Sequence, residues 1–370
     1  MWPAVTCIFL LLLVPVAAGA GETSGRMRLQ MGHEYDTNAQ RICTSALEGD
    51  TSPQPPPDGV TRLIFEGSLE YTARKHSLML SFLGGVKLFS NQNNEDQMAV
   101  KLVGIYAFNY SGNWSLGARM TFRDTTLRYH DRDYTLLRPE LFSQNRLMDW
   151  MILEAYAGVR YYNFKPDAYA IYSLKYTHYG PMGGLRLRMS SGQITSSIFY
   201  QLEARFVDDL WRDGSFNQNE EGEKRFDLRH TGGVRVRHPI RYWDRRKLIL
   251  GMSYLVSVND TNSFGSRALW HRLQLLISMQ LPADITLHLM GTLQFTDYLD
   301  GLAGEGSLYE PDADENENSL VVRVSYPLWK GLSLVLHGAV YRNAFHSGNT
   351  DKIPFGRETI MLGLAYDYSF

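Results

Sequence analysis

The chain has 370 residues, a formal net charge of −2 and 21% charged residues. That balance gives no global attraction to nucleic acid, and a mean hydropathy of −0.26 excludes a bundle of apolar membrane helices. Tyrosine (22), phenylalanine (17) and glycine (32) are abundant while cysteine (2) is scarce, a composition that suits an exported all-β protein.

The first element is a targeting segment. CIFLLLLVPVAAGA is an apolar core ending in the small-residue site Ala18-Gly19-Ala20, although no Lys or Arg precedes it. We read 1–20 as a signal peptide and 21–370 as the mature domain. Cys7 leaves with the peptide and Cys43 stands alone, so no disulfide framework is expected. Beyond residue 20 the recurring signal is a period of two. In DITLHLMGTLQFT, Ile285, Leu287, Leu289, Leu293 and Phe295 alternate with Thr286, His288, Thr292 and Gln294. Successive strand side chains point to opposite faces, so one face is apolar and the other polar.

Such segments are centred near residues 30, 67, 83, 103, 119, 156, 172, 186, 200, 231, 251, 274, 290, 322, 337 and 364. Most run roughly ten to fourteen residues, beyond the ~5–6 of a soluble strand and near the ~9–11 that cross a bilayer at a tilt. Joins after even-numbered segments are short: ARKH, SGN, NFKPD, SSG, HPIRYWD, LPAD and LWKG. Joins after odd-numbered ones are longer and polar (36–59, 90–96, 126–147, 208–224, 259–266, 300–316, 344–356), with HYGPMGG a tight exception. Trp114, Trp243 and Trp329 lie at short joins, where an interfacial aromatic belt belongs. The expected fold is all-β: a transmembrane antiparallel up-and-down barrel of about sixteen strands, within a range of roughly fourteen to eighteen. Segment 126–147, with Leu136, Leu137, Leu141 and Phe142, is expected to fold inward as a constriction.

Turning the apolar face to lipid turns Arg119, Arg123, Arg160, Arg186, Arg188, Arg205, Arg229, Arg235, Arg237 and Arg323 into the lumen. An Arg at mid-membrane on the lipid side would cost roughly 2–4 kcal/mol. Glu66, Glu70, Glu154, Glu203 and Asp227 share the inner face. The arginines therefore read either as a basic path for an acidic glycan or anionic solute, or as an internal salt-bridge network. Tyr156, Phe199 and Tyr341 fall on the same face, as a stacking track for sugar would. Ser278 and His288 meet on adjacent segments with no activating motif, so catalysis is not expected. Asp312, Asp314, Asn316 and Asn318 start like a calcium loop whose completing Gly and Glu are missing. No cofactor or metal is expected, and no nucleic-acid partner.

The closing LAYDYSF, aromatic at the last position with apolar residues alternating before it, resembles the C-terminal signal of Gram-negative outer-membrane barrels. That resemblance implies that the barrel-assembly machinery reads Tyr366, Tyr368 and Phe370, and that the protein sits in the outer membrane of a Gram-negative bacterium. The opening GRMRLQMGHEYDTNAQR is similar to the first strand of barrels attached to polysaccharide secretion, with Tyr35, Asp36 and Asn38 as the matching positions. The chain from about 26 to 370 resembles the stand-alone barrels of myxobacterial-type exopolysaccharide export. The implied function is a passive conduit for polysaccharide export. With no helical-repeat domain before the barrel, a separate periplasmic export protein would be its partner. Two other functions fit the same fold: a general or anion-selective solute porin, and a non-conducting barrel-anchored surface or adhesion protein.

Overall fold

Backbone N–H and C=O groups find no water in a bilayer, so half-apolar strands cross it only by pairing on both sides until the sheet closes. The computed structural model shows that closure. It describes residues 21–38, 57–93, 96–127, 133–165, 177–210, 223–242, 246–263, 267–299, 318–346 and 352–370. Sixteen strands run in chain order: β1 (Glu22–Asp36), β2 (Asp58–Ala73), β3 (His76–Phe89), β4 (Gln97–Asn109), β5 (Trp114–Leu127), β6 (Asp133–Met148), β7 (Met151–Lys165), β8 (His178–Ser191), β9 (Ile194–Leu210), β10 (Lys224–Tyr242), β11 (Arg246–Thr261), β12 (Ala268–Gln280), β13 (Thr286–Tyr298), β14 (Ser319–Trp329), β15 (Leu332–His346) and β16 (Lys352–Ser369). Each pairs with its sequence neighbours, and β16 returns to β1, from Arg26 opposite Ser369 to Asp36 opposite Thr359. Both ends of the chain's barrel thus lie at the short-turn rim.

The outer face is apolar and uncovered. On β1 and β16 it carries Met27, Leu29, Met31 and Tyr35 beside Ile360, Leu362, Leu364, Tyr366 and Tyr368, all about half exposed. Such a continuous apolar belt is stable only against hydrocarbon. Tyr110, Trp114, Trp150 and Trp329 crowd the short-turn rim, with Trp329 80% exposed, at the level of an aromatic girdle. Trp243 lies outside the described residues.

The chain end seals the wall. Phe370 and Gly25 exchange both backbone hydrogen bonds at 3.0 Å. The Phe370 ring lies over Gly25, in space that any Cβ there would occupy.

Two expectations about the strands are corrected. Segment 126–147 is not an inward constriction, because most of it forms β6, a full wall strand paired with β5 and β7. Leu136 and Phe142 point inward and Leu137 and Leu141 outward, each at the position that its parity dictates. The alternation was obscured by the Leu136–Leu137 doublet and by Pro139, which lacks the N–H that a ladder uses. The segment centred at 172 lies outside the described residues, and the barrel closes without it because β7 pairs directly with β8. The total of sixteen stands among the described residues, with β6 as the strand that the sequence pattern does not show. As a consequence, the β6–β7 join is Asp149–Trp150, the Asn163–Lys165 part of NFKPD ends β7 at the opposite rim, and HYGPMGG is the start of β8.

Candidate functional site

The strand register fixes which side chains share the lumen. Directly opposed residues lie on one face, so the rung Arg188–Ser197–Arg235–Ser253 runs across β8 to β11. The next rungs set Arg186 opposite Phe199, Arg237 opposite Thr195, Arg229 opposite Glu203 and Arg205 opposite Asp227. Arg119 opposes Glu140, Arg123 opposes Leu136, Arg160 opposes Gly180 and Arg323 opposes His337. All ten of these arginines therefore face inward, together with Glu66, Glu70, Glu154, Glu203 and Asp227.

One wall, β5 to β10, concentrates the charge. Glu154 is fully buried and accepts from Arg119 (3.4 Å), Arg186 (3.2 Å), Arg188 and Gln144 (2.8 Å). Glu140 accepts from Arg119 at 2.8 Å and from Arg138. Glu203 accepts from Arg205 at 2.8 Å and Arg160 at 3.3 Å. Each carboxylate thus serves two or three guanidiniums, and the surplus on this wall is positive. Arg235 and Arg237, both exposed to the lumen, carry that surplus most openly, since neither has a carboxylate partner among the described residues. Arg323 bonds the neutral Gln30 at 2.7 Å. One wall therefore holds both ion-paired guanidiniums and guanidiniums without a carboxylate partner among the described residues.

Aromatic rings interleave with these arginines. Arg119 lies 5.2 Å from the Phe142 ring, Arg186 lies 5.9 Å from Tyr156, and Phe199 has Arg186 at 5.8 Å and Arg235 at 5.3 Å. Arg229 lies 4.8 Å from Trp270, Arg123 5.3 Å from Tyr134, and Arg357 5.6 Å from Tyr341. Phe199 packs over Gly233, where a Cβ would come within 2.8 Å of the ring. The sequence pattern does not place Arg138 and Glu140 in the lumen, and it gives Phe142 only as an anchor of a constriction, because the segment of β6 reads as a loop. The signal was present, since Leu136, Arg138, Glu140, Phe142, Gln144 and Arg146 are its inward residues at a period of two.

The Tyr35, Asp36 and Asn38 positions have a structural role here. Asp36, fully buried, is gripped by Arg357 of β16, whose Nε lies 3.0 and 2.9 Å from its two carboxylate oxygens. Asn38 donates its backbone N–H to Asp36 at 3.0 Å and its side chain to the carbonyl of Gly356 at 3.0 Å. Tyr35 faces outward and is half exposed. Asp36 and Asn38 tie β1 to β16 at the long-loop rim. Tyr366, Tyr368 and Phe370 lie on the outer face at the other rim.

Ser278 and His288 are direct cross-strand partners in the lumen. The residue opposite His288 on its other side is Arg323, a cation where a hydrolytic triad needs an orienting acid. The loop of Asp312 and Cys43 lie outside the described residues.

A closed sixteen-strand barrel with an apolar exterior and a charged interior defines a porin-like barrel of the outer-membrane type. Neither a protein-family model nor a curated protein sequence matches the chain. Among solved structures it is similar to the outer membrane channel DcaP of Acinetobacter baumannii, with a TM-score of 0.51 and 13% identity over 94% of this chain and 98% of that one. A bacterial polysaccharide outer membrane secretin is matched at a TM-score of 0.43 and 8% identity, over 92% and 98% of the two chains. A triple mutant of the Rhodopseudomonas blastica porin follows at 0.36 and 11%, over 94% and 100%. The first of these supports the fold; the other two are too distant to argue from.

Proposed function

We propose that this protein is a channel of the Gram-negative outer membrane whose lumen favours anionic cargo, and that its cargo is an exported polysaccharide. The carrying observation is the β5–β10 wall, where guanidiniums outnumber carboxylates and alternate with aromatic rings. Guanidinium recognises carboxylate, sulfate and phosphate in bidentate fashion, and an aromatic face offers a surface to a sugar ring. Sixteen strands are enough to leave an aqueous interior. The chain offers no nucleotide motif, so the driving force for export is assigned to a periplasmic partner. In a strain lacking the protein, surface polysaccharide is expected to fall and periplasmic polysaccharide to accumulate, both restored by the wild-type gene. Unchanged polysaccharide distribution would overturn the export reading.

The second reading, an anion-selective solute porin, draws on Arg235 and Arg237, which have no carboxylate partner among the described residues. It predicts anion-biased conductance without any polysaccharide phenotype. In either reading the barrel-assembly machinery inserts the protein by reading Tyr366, Tyr368 and Phe370.

A further inference from the structure

The lipid face of β3 to β7 is not smooth. A groove of about 620 Å³ opens there, with an almost wholly apolar lining. Its floor is made of small side chains, Gly104, Ala118, Pro139 and Ala157, and its rim of Tyr106, Met120 and Leu141, among others. Ala118 pairs with Leu141 and Leu141 with Ala157, so the hollow crosses three strands in register. The lipid face on β1 and β16, beyond β2, carries Leu, Ile, Met and Tyr instead.

The groove's lower rim leads to a basic turn. Tyr106 bonds His76 through its hydroxyl, 2.8 Å from Nδ1, and His76 follows the exposed Arg74 and Lys75 of the β2–β3 turn. That turn is tied to the next strand pair, since Asn109 donates to the Lys75 carbonyl at 2.7 Å. Tyr110 and Trp114, both exposed, flank it and set it at the level of lipid headgroups. Arg74 adopts φ +39°, a region that a side-chain-bearing residue rarely takes. On the turns from β2 to β7 the acidic residue is Asp149.

We propose that this groove with Arg74, Lys75 and His76 is a binding site for an anionic glycerophospholipid of the inner leaflet of the outer membrane. An acyl chain fills the hollow, and the phosphate headgroup meets the cationic turn beside it. The groove faces hydrocarbon, which restricts its occupant to lipid or protein. The basic turn at its mouth selects a lipid with a negative headgroup, since each Lys or Arg near the surface adds attraction for such lipids.

Native mass spectrometry of the full chain tests this, with the barrel released from vesicles of equal parts phosphatidylglycerol and phosphatidylethanolamine. Wild type is expected to retain phosphatidylglycerol about tenfold more than phosphatidylethanolamine. Arg74→Asn with Lys75→Gln should bring the two to parity. Ala118→Leu, or Gly104→Leu should the first fail to fold, should lower retention of both lipids by filling the hollow. Folding is checked by the mobility shift on heating. Equal retention by wild type, or retention unchanged by both kinds of variant, would overturn the proposal. A wild-type dimer that Ala118→Leu makes monomeric would overturn it too, by giving the groove to a second copy.

Discussion

Asp36 and Asp58 stand directly opposite each other at the long-loop rim of the β1–β2 pair, both almost fully buried. Two like charges in that relation repel. Each is satisfied by a different set of donors. Arg357 and the Asn38 amide hold Asp36. Asp58 accepts from the backbone N–H of Gly59 (2.8 Å) and Gln92 (2.8 Å), and from the backbone and side chain of Asn91. The first set closes the barrel between its first and last strands, and the second pins the segment after β3.

Removing one partner of a buried ion pair leaves the other charge unpaired and costs about 3–5 kcal/mol. Asp36→Asn should therefore lower the unfolding temperature of the barrel markedly, read from the loss of its compact mobility on heated gels. Asp36→Leu combined with Arg357→Met should recover much of the loss. Equal stability of Asp36→Asn and wild type would remove the seam from this account.

Asp58 sits at the rim, outside the lipid belt, and predicts an acid response. Burial opposes its ionisation, but the amides of Gln92, Asn91 and Gly59 outweigh that and hold its carboxyl below the ordinary value of 3.8. A carboxylate with a lowered folded value contributes stability above the unfolded value and loses it as pH falls through the folded one. Hydrogen exchange at Asn91 and Gln92 should thus be constant from about pH 7 to 5, after correction for the intrinsic rate, and rise below the ordinary carboxylate range. Asp58→Asn should show the fast exchange at every pH.

The lumen makes a paired prediction. Glu154→Gln frees Arg186 and Arg188, leaves Arg119 paired with Glu140, and should increase anion preference. Arg235→Gln removes a cation with no carboxylate partner among the described residues and should decrease it. A unit charge about 8 Å from a passing ion is worth about 2 kcal/mol at an effective dielectric of about 20, before screening. Salt near 0.15 M screens over about 8 Å, so both shifts should shrink in concentrated KCl. Stability should separate the two: Arg235→Gln within about 0.5 kcal/mol of wild type, Glu154→Gln lower. Reversal potentials that move in the same direction for both would contradict the assignment.

The inner and outer faces were legible because parity is a strict rule in a strand. Once Leu287, Leu289 and Leu293 were turned to lipid, His288 and Thr292 had to face inward, and the same step placed Arg186, Arg205 and Arg235. β6 was not legible. Pro139 and the Leu136–Leu137 doublet blur its period, and its inward residues mix Arg138 and Glu140 with Phe142. Nor could parity show how charge is shared, because the pairing of Glu154 with three arginines from β5 and β8 depends on strand adjacency. The Asp36–Arg357 grip joins residues 321 positions apart and has no local signature.

The central claim is an open, anion-preferring pore, and current through single purified barrels in a planar bilayer under a KCl gradient tests it most directly. The account predicts stepwise conductance with a reversal potential on the chloride side, weakened by Arg235→Gln. A barrel that inserts and stays silent at every voltage, or conducts with a preference for potassium, would contradict it.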